Sequence, residues 1–239
     1  AKYLYFHRGF SVEPSQIYIA HSTRALIYEF TKEYPEFSFA LEDPGYPGII
    51  KTLKEFNRNY SLIPLDEDGI DIKKIKSNVN IISVTPSHQF PTGIVYPIKR
   101  RLELISWASA KKNRFILEDD YDSEFRFSGQ PYPSLQGLEN NAPVLYMGTF
   151  SKTIYPSLRI GYLVVPKPLF SPLRIVAAEL YRGGHLLEQK ALAEFIREGH
   201  YEAHIRRMRL LYGKRRDYLV SLIQRYLGPE FIHEYDEAA

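Results

Sequence analysis

The chain has 239 residues, no cysteine, a formal net charge of +3 and a hydrophobic content of 44%. This is the composition of an ordinary globular chain, so disorder and collagen-like structure are excluded. The lack of cysteine excludes disulfides, thiolate nucleophiles and cysteine-based metal sites, and the small net charge gives no sign of a nucleic-acid partner. No apolar stretch approaches the roughly 20 residues that cross a membrane, and no signal peptide opens the sequence, so we expect a cytoplasmic protein.

The two ends of the sequence indicate a piece of a longer protein. The chain opens with Ala1 inside a helix-like segment, and its last residues, FIHEYDEAA, are typical of a strand that has just begun. We expect a large domain over 1–175, incomplete at its N-terminus, and a helical continuation over 176–227. The start of a truncated C-terminal α+β domain is expected over 228–239.

Short apolar runs alternate with amphipathic stretches along the chain. In chain order, the sequence predicts a helix end within 1–10, a strand at 38–41, a helix at 46–57, strands at 60–64 and 80–85, a helix at 98–111, strands at 114–118, 144–147 and 159–165, and helical sequence from about 169 to 226. This order predicts an α/β fold with a mostly parallel sheet between helices. Ligands of such sheets bind beyond the carboxyl ends of the strands.

The segment GTFSKTIYPSLR follows the strand at 144–147 and places a lysine among hydroxyl residues. Thr149, Ser151 and Arg159 are suited to hold a phosphate, because hydroxyls and a guanidinium both donate hydrogen bonds to it. Lys152, in a partly dry site, is suited to Schiff-base chemistry. The alternative is an exposed loop lysine, and this segment alone leaves both interpretations open.

The segment LEDDYDSEF follows the strand at 114–118. Asp119 is suited to pair with a cationic ring nitrogen, and the Tyr121 phenol to bond a ring oxygen. The alternatives are solvated acidic residues and a magnesium site, to which Glu118, Asp120 and Asp122 would add oxygen ligands. Consecutive residues of an extended segment point to opposite sides, however, so these carboxylates cannot all converge on one ion without distortion.

In EDPGYPG, Tyr46 lies at a turn before a predicted helix, where its ring can stack on a planar cofactor. Packing is the usual role of a tyrosine at such a turn. On this motif alone, the packing interpretation is preferred.

The segments DPGYPG, TPSHQFPTG, LEDDYDSEFRF, PSLQGL and YMGTFSKTIYPSLRIGY occur in this order over nearly the whole chain. Their order and spacing resemble the aminotransferase-like domain of MocR/GabR-type bacterial transcription regulators, a subfamily of the GntR regulators. The resemblance implies a fold-type I domain that binds pyridoxal 5′-phosphate and forms homodimers. In this family a winged helix-turn-helix, which is not in this sequence, precedes the domain and binds DNA.

The resemblance also implies roles for individual residues. Lys152 matches the lysine that forms the internal aldimine, Asp119 the partner of the pyridine nitrogen, Tyr121 the partner of the 3-oxygen, and Tyr46 the tyrosine that stacks on the ring. The positions that match phosphate contacts are Thr149, Ser151, Arg159, Ser22 and Thr23, the last two opening a helix with free backbone amides.

The sequence departs from the wider aminotransferase pattern at several points. Phe90 stands where aminotransferases usually carry an asparagine that bonds the cofactor oxygen, and His88 is a candidate replacement. The segment Ala20–Thr23 lacks the usual glycine. The arginine that binds the substrate carboxylate in this family is expected beyond Ala239.

Two features of the C-terminal part have ordinary explanations. His200 and His204 have the spacing of metal ligands on a helix, but a surface pair is the preferred interpretation. The basic residues between 206 and 216 can contact DNA, but they more often form a solvated or intersubunit face.

The resemblance therefore implies an effector domain that senses an amino acid or amine through external aldimine formation at Lys152. The alternative is a catalytic class I aminotransferase. Phe90 and the missing small domain favour the sensor, and full transaminase turnover is left open.

Overall fold

The computed structural model describes residues 1–127, 132–139, 141–169 and 186–232. The α-helices in these ranges are α1 (Lys2–Arg8), α2 (Thr23–Glu33), α3 (Pro47–Glu55), α4 (Ile98–Ser109), α5 (Leu135–Leu138), α6 (Leu186–Arg197) and α7 (His200–Tyr226). The strands are β1 (Ile17–Ala20), β2 (Phe39–Asp43), β3 (Tyr60–Asp66), β4 (Gly69–Ile70), β5 (Ile81–Val84), β6 (Phe115–Asp120), β7 (Val144–Thr149) and β8 (Gly161–Val164). No helix in the described ranges is both long enough and apolar enough for a membrane span.

The described strands form one sheet in the order β1-β8-β7-β6-β5-β2-β3-β4. Neighbouring strands from β7 through β6, β5 and β2 to β3 are parallel. The pairs at the two edges, β7 with β8, β8 with β1, and β3 with β4, are antiparallel. The predicted α/β fold with a mostly parallel sheet is therefore confirmed.

Helices cover both faces of the sheet, and successive side chains of β6 show how the faces divide. Phe115 and Leu117 pack with α2 and α3 in one apolar cluster, whereas Ile116 packs with α4 and α5 in another. Because side chains alternate along a strand, Asp119 lies on the α2–α3 face. Glu118 and Asp120 lie on the opposite face, which supports the argument against a shared magnesium site. In the parts of the chain that the structure describes, no group of three or more potential metal ligands is found.

Each of the six predicted strands overlaps an observed one, but β1 and β4 were not predicted. β1 has four residues with alternating burial and pairs only at the sheet edge, and β4 has two residues. Both depend on a distant or hairpin partner more than on a local apolar run. The predicted strand at the C-terminus falls mostly on residues 233–239, which lie outside the described residues. The predicted boundary near residue 175 falls within 170–185, which also lie outside them. The proposed division into domains therefore stays a prediction.

Candidate functional site

The carboxyl ends of the parallel strands place the three predicted segments at one edge of the sheet. Asp119 pairs in register with Met147 on β7, and Thr149 pairs with Gly161 on β8. Gly161 pairs in turn with Ala20 at the end of β1. This edge is the position at which ligands of such sheets bind.

Asp119 occupies the end of β6 in an acidic and partly closed environment. Burial raises the pKa of Asp119 to about 7, with further contributions from the Asp120, Glu42 and Asp122 carboxylates and an opposing one from Lys152. The Asp119 carboxylate accepts no hydrogen bond from any other residue in the described ranges. A cation placed against it would relieve this accumulation of negative charge, so the site suits a protonated ring nitrogen.

Lys152 follows β7, and its side chain lies across the Tyr121 ring. The Lys152 Nζ is 4.5 Å from the centroid of that ring and 3.8 Å from Asp122 Oδ2. The Tyr121 hydroxyl donates to the His88 carbonyl oxygen at 2.9 Å, and burial, with the nearby Asp122 charge, raises the pKa of Tyr121. His88 Nδ1 lies 2.8 Å from Asp122 Oδ2. The lysine, the phenol and the imidazole thus share one pocket edge.

Tyr46 lies between the end of β2 and the start of α3. Together with Thr85 and Asp119 it lines a small cleft, and its side chain is about half exposed. The Phe90 ring packs edge-on against it, with 5.9 Å between the ring centroids. Phe90 therefore supports the aromatic ring of Tyr46, a contact that an asparagine at this position would not make.

The start of α2 offers backbone donors near Thr149. Ser22 caps the helix, and its Oγ accepts a hydrogen bond from the Ala25 amide at 3.1 Å. The first amides of a helix have no partner within it and favour an anion through the helix dipole. The backbone comes close here, because a Cβ added at Gly161 would lie 3.1 Å from the Thr23 nitrogen.

Three further residues lie at the end of β7 and in the β7–β8 loop. Thr149 Oγ1 accepts a hydrogen bond from the Ser151 amide at 3.2 Å and donates to the Ile160 carbonyl oxygen at 3.3 Å. Arg159 has a left-handed backbone, with φ of 50°, which costs a non-glycine residue about 1 to 3 kcal/mol. Its exposed guanidinium has no carboxylate partner in the described part of the chain. This combination of donors fits a phosphate group.

Sequence reasoning missed Glu42, a buried carboxylate at the end of β2. Its oxygens accept hydrogen bonds from the Thr85 amide at 3.1 Å, the Thr85 hydroxyl at 2.9 Å, Gln89 Nε2 at 3.2 Å and the Tyr96 hydroxyl at 2.5 Å. Burial raises the pKa of Glu42 despite these donors. Glu42 thus ties the end of β2 to the loop after β5. The motif EDPGYPG contains it, but its donors come from residues 43 to 54 positions away.

The opposite face of β6 carries a second set of charges that stays inside the protein. Asp120 forms a buried ion pair with Arg8 of α1 and accepts a hydrogen bond from the Tyr146 hydroxyl. Arg8 Nε also donates to the Tyr146 oxygen at 2.8 Å. Glu118 accepts the backbone amide of Leu135 at 3.0 Å, at the start of α5. These groups are structural, because they face away from the strand-end cleft.

Glu118 is expected to make stability depend on pH. Burial, reinforced by Asp120, raises the pKa of Glu118 from 4.5 to about 7, so the folded state holds this proton more tightly than the unfolded state. Its contribution to stability is fully present below about pH 4.5 and is lost as the pH rises to about 7. Glu118→Gln does not undergo this loss. Between about pH 4.5 and 7, the free energy of unfolding of the variant should therefore rise by up to about 3 kcal/mol relative to that of the parent.

Urea unfolding of the parent and Glu118→Gln at pH 4.5, 5.5, 6.5 and 7.5 measures this difference. A lost hydrogen bond to α5 would lower the stability of the variant by the same amount at every pH. A difference in stability that does not change with pH would contradict the prediction.

The long helix α7 contacts the residue that follows Lys152. The Tyr201 hydroxyl donates to Thr153 Oγ1 at 3.1 Å, and His204 Nε2 lies 2.9 Å from the Thr153 carbonyl oxygen. The sequence predicts a surface side chain at His204. The structure differs, because α7 packs against the β7–β8 loop and His204 contacts that loop. His200 is exposed and lies 3.3 Å from Glu198 Oε2.

Comparison with known proteins agrees with this geometry. Residues 2–237 match the family model described as aminotransferase class I and II. The chain belongs to the aminotransferase class I and II family. The structure is similar to a crystal structure of kynurenine aminotransferase from Pyrococcus horikoshii, with a TM-score of 0.83 and 25% sequence identity. The match covers all of this chain and 61% of that one.

Two curated proteins similar to this chain carry the names of regulators. The uncharacterized HTH-type transcriptional regulator YdeL of Bacillus subtilis is 44% identical, over 95% of this chain and 50% of the relative. The probable rhizopine catabolism regulatory protein MocR of Rhizobium meliloti is 37% identical, over 95% of this chain and 47% of the relative. The chain thus spans about half the length of these curated relatives, and the resemblance to MocR-type regulators is confirmed.

Proposed function

We propose that this chain is the effector-sensing part of a MocR/GabR-type transcription regulator, and that it binds pyridoxal 5′-phosphate at the edge built by β6, β7 and α2. The observation that carries the proposal is the position of the Lys152 amine, across Tyr121 and at the same strand ends as Asp119. The regulator names of relatives up to 44% identical support the sensing role.

Pyridoxal 5′-phosphate supplies an aldehyde that bonds covalently to an amine and a ring that withdraws electrons from that bond. Lys152 provides the amine, and the Asp119 carboxylate holds the positive charge of the ring nitrogen. Tyr121 and His88 are on the side of the ring oxygen, and Tyr46 covers one face of the ring. The phosphate is bound by the donors proposed for it around the start of α2, which are Ser22, Thr23, Thr149, Ser151 and Arg159.

An amino acid or amine that takes the place of Lys152 would free its side chain. α7 is hydrogen-bonded to Thr153, the next residue, so a shift of this loop would reach α7 directly. A ligand alters DNA affinity only if it binds two arrangements of the protein with different affinity. We propose that the two positions of Lys152 distinguish these arrangements, and that a dimer and an N-terminal winged helix-turn-helix outside this sequence convert them into a change in DNA binding.

The proposal predicts binding without sustained turnover. Protein loaded with pyridoxal 5′-phosphate is mixed with D-alanine, L-alanine or 4-aminobutyrate in the presence of 2-oxoglutarate. One of these amino acids is expected to change the visible absorbance, and the change should persist while less than one equivalent of oxo-acid product forms per site. Rapid multiple turnover would contradict the sensor and favour a catalytic aminotransferase. The same mixture without protein serves as the control.

A further inference from the structure

Asp122 is a buried carboxylate that no part of the proposed function uses. Its side chain is 3% exposed, whereas the Lys152 side chain beside it is 51% exposed. Asp122 Oδ2 lies 2.8 Å from His88 Nδ1 and 3.8 Å from Lys152 Nζ. One oxygen atom is therefore shared between an imidazole and an amine.

The surrounding residues restrain the Asp122 side chain more firmly than they restrain the Lys152 side chain. The Asp122 carbonyl oxygen accepts the Phe125 amide at 2.8 Å, and its side chain is fixed by His88. Within the described residues, the groups besides Asp122 that interact with the Lys152 amine are the Tyr121 ring, by contact, and the Asp119 carboxylate, electrostatically. Asp119 is assigned to the ring nitrogen, so among these groups Asp122 is the carboxylate left to the amine.

We propose that Asp122 is a positioning residue that receives the Lys152 ammonium whenever Lys152 is not bonded to the cofactor. It would thereby set how readily an amine effector takes the place of Lys152. This inference rests on the proposed function, because it concerns the same exchange of amines.

The exchange balances in atoms and charge. A carbon–nitrogen double bond would form between the effector nitrogen and the aldehyde carbon of the cofactor, and the double bond from that carbon to Lys152 Nζ would break. With both double bonds protonated, the two protons that the effector ammonium gives up are the two that Lys152 Nζ gains in becoming an ammonium. Asp122 stabilises only the side of the equilibrium on which Lys152 is a free cation, so it favours the effector-bound protein.

Asp122→Asn removes the charge while keeping the size and an oxygen that can accept from His88. The probe is methylamine, titrated into protein loaded with pyridoxal 5′-phosphate while the visible spectrum is recorded. The methylamine concentration at half-change is expected to rise about fivefold, since an ion pair with an exposed partner contributes up to about 1 kcal/mol. The matched control is Asp66→Asn. Asp66 ends β3, three strands from β6 in the sheet, and its carboxylate pairs with Arg100 at 2.8 Å, so this substitution should leave the midpoint unchanged.

A second measurement uses the protein before it is loaded with cofactor. At neutral pH, acetic anhydride should modify Lys152 faster in Asp122→Asn than in the parent, relative to the exposed Lys99, because the Lys152 amine is no longer held in an ion pair 3.8 Å from Asp122 Oδ2. Mass spectrometry of the peptides gives the ratio. A residue with a purely structural role would lower stability without changing either this ratio or the methylamine midpoint, and that result would overturn the inference.

The two proposals fail in different ways. If the loaded protein shows no covalently bound cofactor, the proposed function is wrong, while the acetylation ratio still tests Asp122. Should Asp122→Asn fail to fold, His88→Asn provides the test, because it leaves the carboxylate to Lys152 alone. The acetylation ratio should then stay at or below that of the parent, and a clear increase would overturn the inference.

Discussion

Lys152→Ala is expected to abolish the visible absorbance that pyridoxal 5′-phosphate gives when it is bonded to a protein amine. Lys152 is the amine at the strand ends, 4.5 Å from the Tyr121 ring centroid. The donors proposed for the phosphate are unchanged in this variant, so the cofactor should still bind, but without a covalent bond to the chain. Absorbance spectra after gel filtration, with borohydride reduction and mass measurement, check the result.

The matched control is Lys99→Ala, which removes an exposed lysine from α4 and should leave the visible band intact. A band of unchanged height in Lys152→Ala would contradict both the sensor and the aminotransferase interpretation, because each requires this lysine. A band lost equally in both variants would indicate damage to the fold instead.

Arg8→Met is expected to lower the free energy of unfolding by about 3 to 5 kcal/mol, the usual cost of removing one partner of a buried ion pair. The side chains of Arg8 and Asp120 are 3% and 1% exposed, so solvent cannot replace the lost guanidinium. Methionine fills similar space but leaves Asp120 buried without its cation, and in the described part of the chain the Tyr146 hydroxyl is the donor that remains to it. Urea denaturation followed by circular dichroism measures the change.

Arg24→Met is the comparison for this effect. Arg24 pairs with Glu55, but the two side chains are 53% and 37% exposed, so the loss should stay below about 1 kcal/mol. Similar losses in the two variants would contradict the assignment of Arg8 to a buried structural pair. Such a result would mean that water reaches Asp120.

The parts of the site that could be predicted are those encoded by neighbours in sequence. Lys152 and Asp119 each follow an apolar run, and the rule that ligands bind at the carboxyl ends of parallel strands predicts that they lie at the same site. Ser22 was predicted to open a helix, and it caps α2. The predicted helix at 46–57 begins one residue later than expected, at Pro47, because Tyr46 is the residue before its first turn.

The parts that could not be predicted depend on contacts between distant residues. Glu42 gains its donors from the loop after β5, and Asp122 acquires His88 from 34 residues earlier. Arg8 lies in a short helix at the start of the chain, and nothing near it in sequence indicates a partner 112 positions later. In each case a single polar residue has many possible partners, and only the packing of the sheet and its helices selects one.

The alternation of side chains along β6 has a consequence for how this protein tolerates change. Three consecutive carboxylates, Glu118, Asp119 and Asp120, are chemically similar, but the middle one faces the side proposed to bind the cofactor and its neighbours face the interior. Substitutions at the outer two should therefore change the free energy of unfolding, and a substitution at the middle one should reduce binding by a protein that still folds. Moving one position along the chain thus exchanges an effect on stability for an effect on recognition.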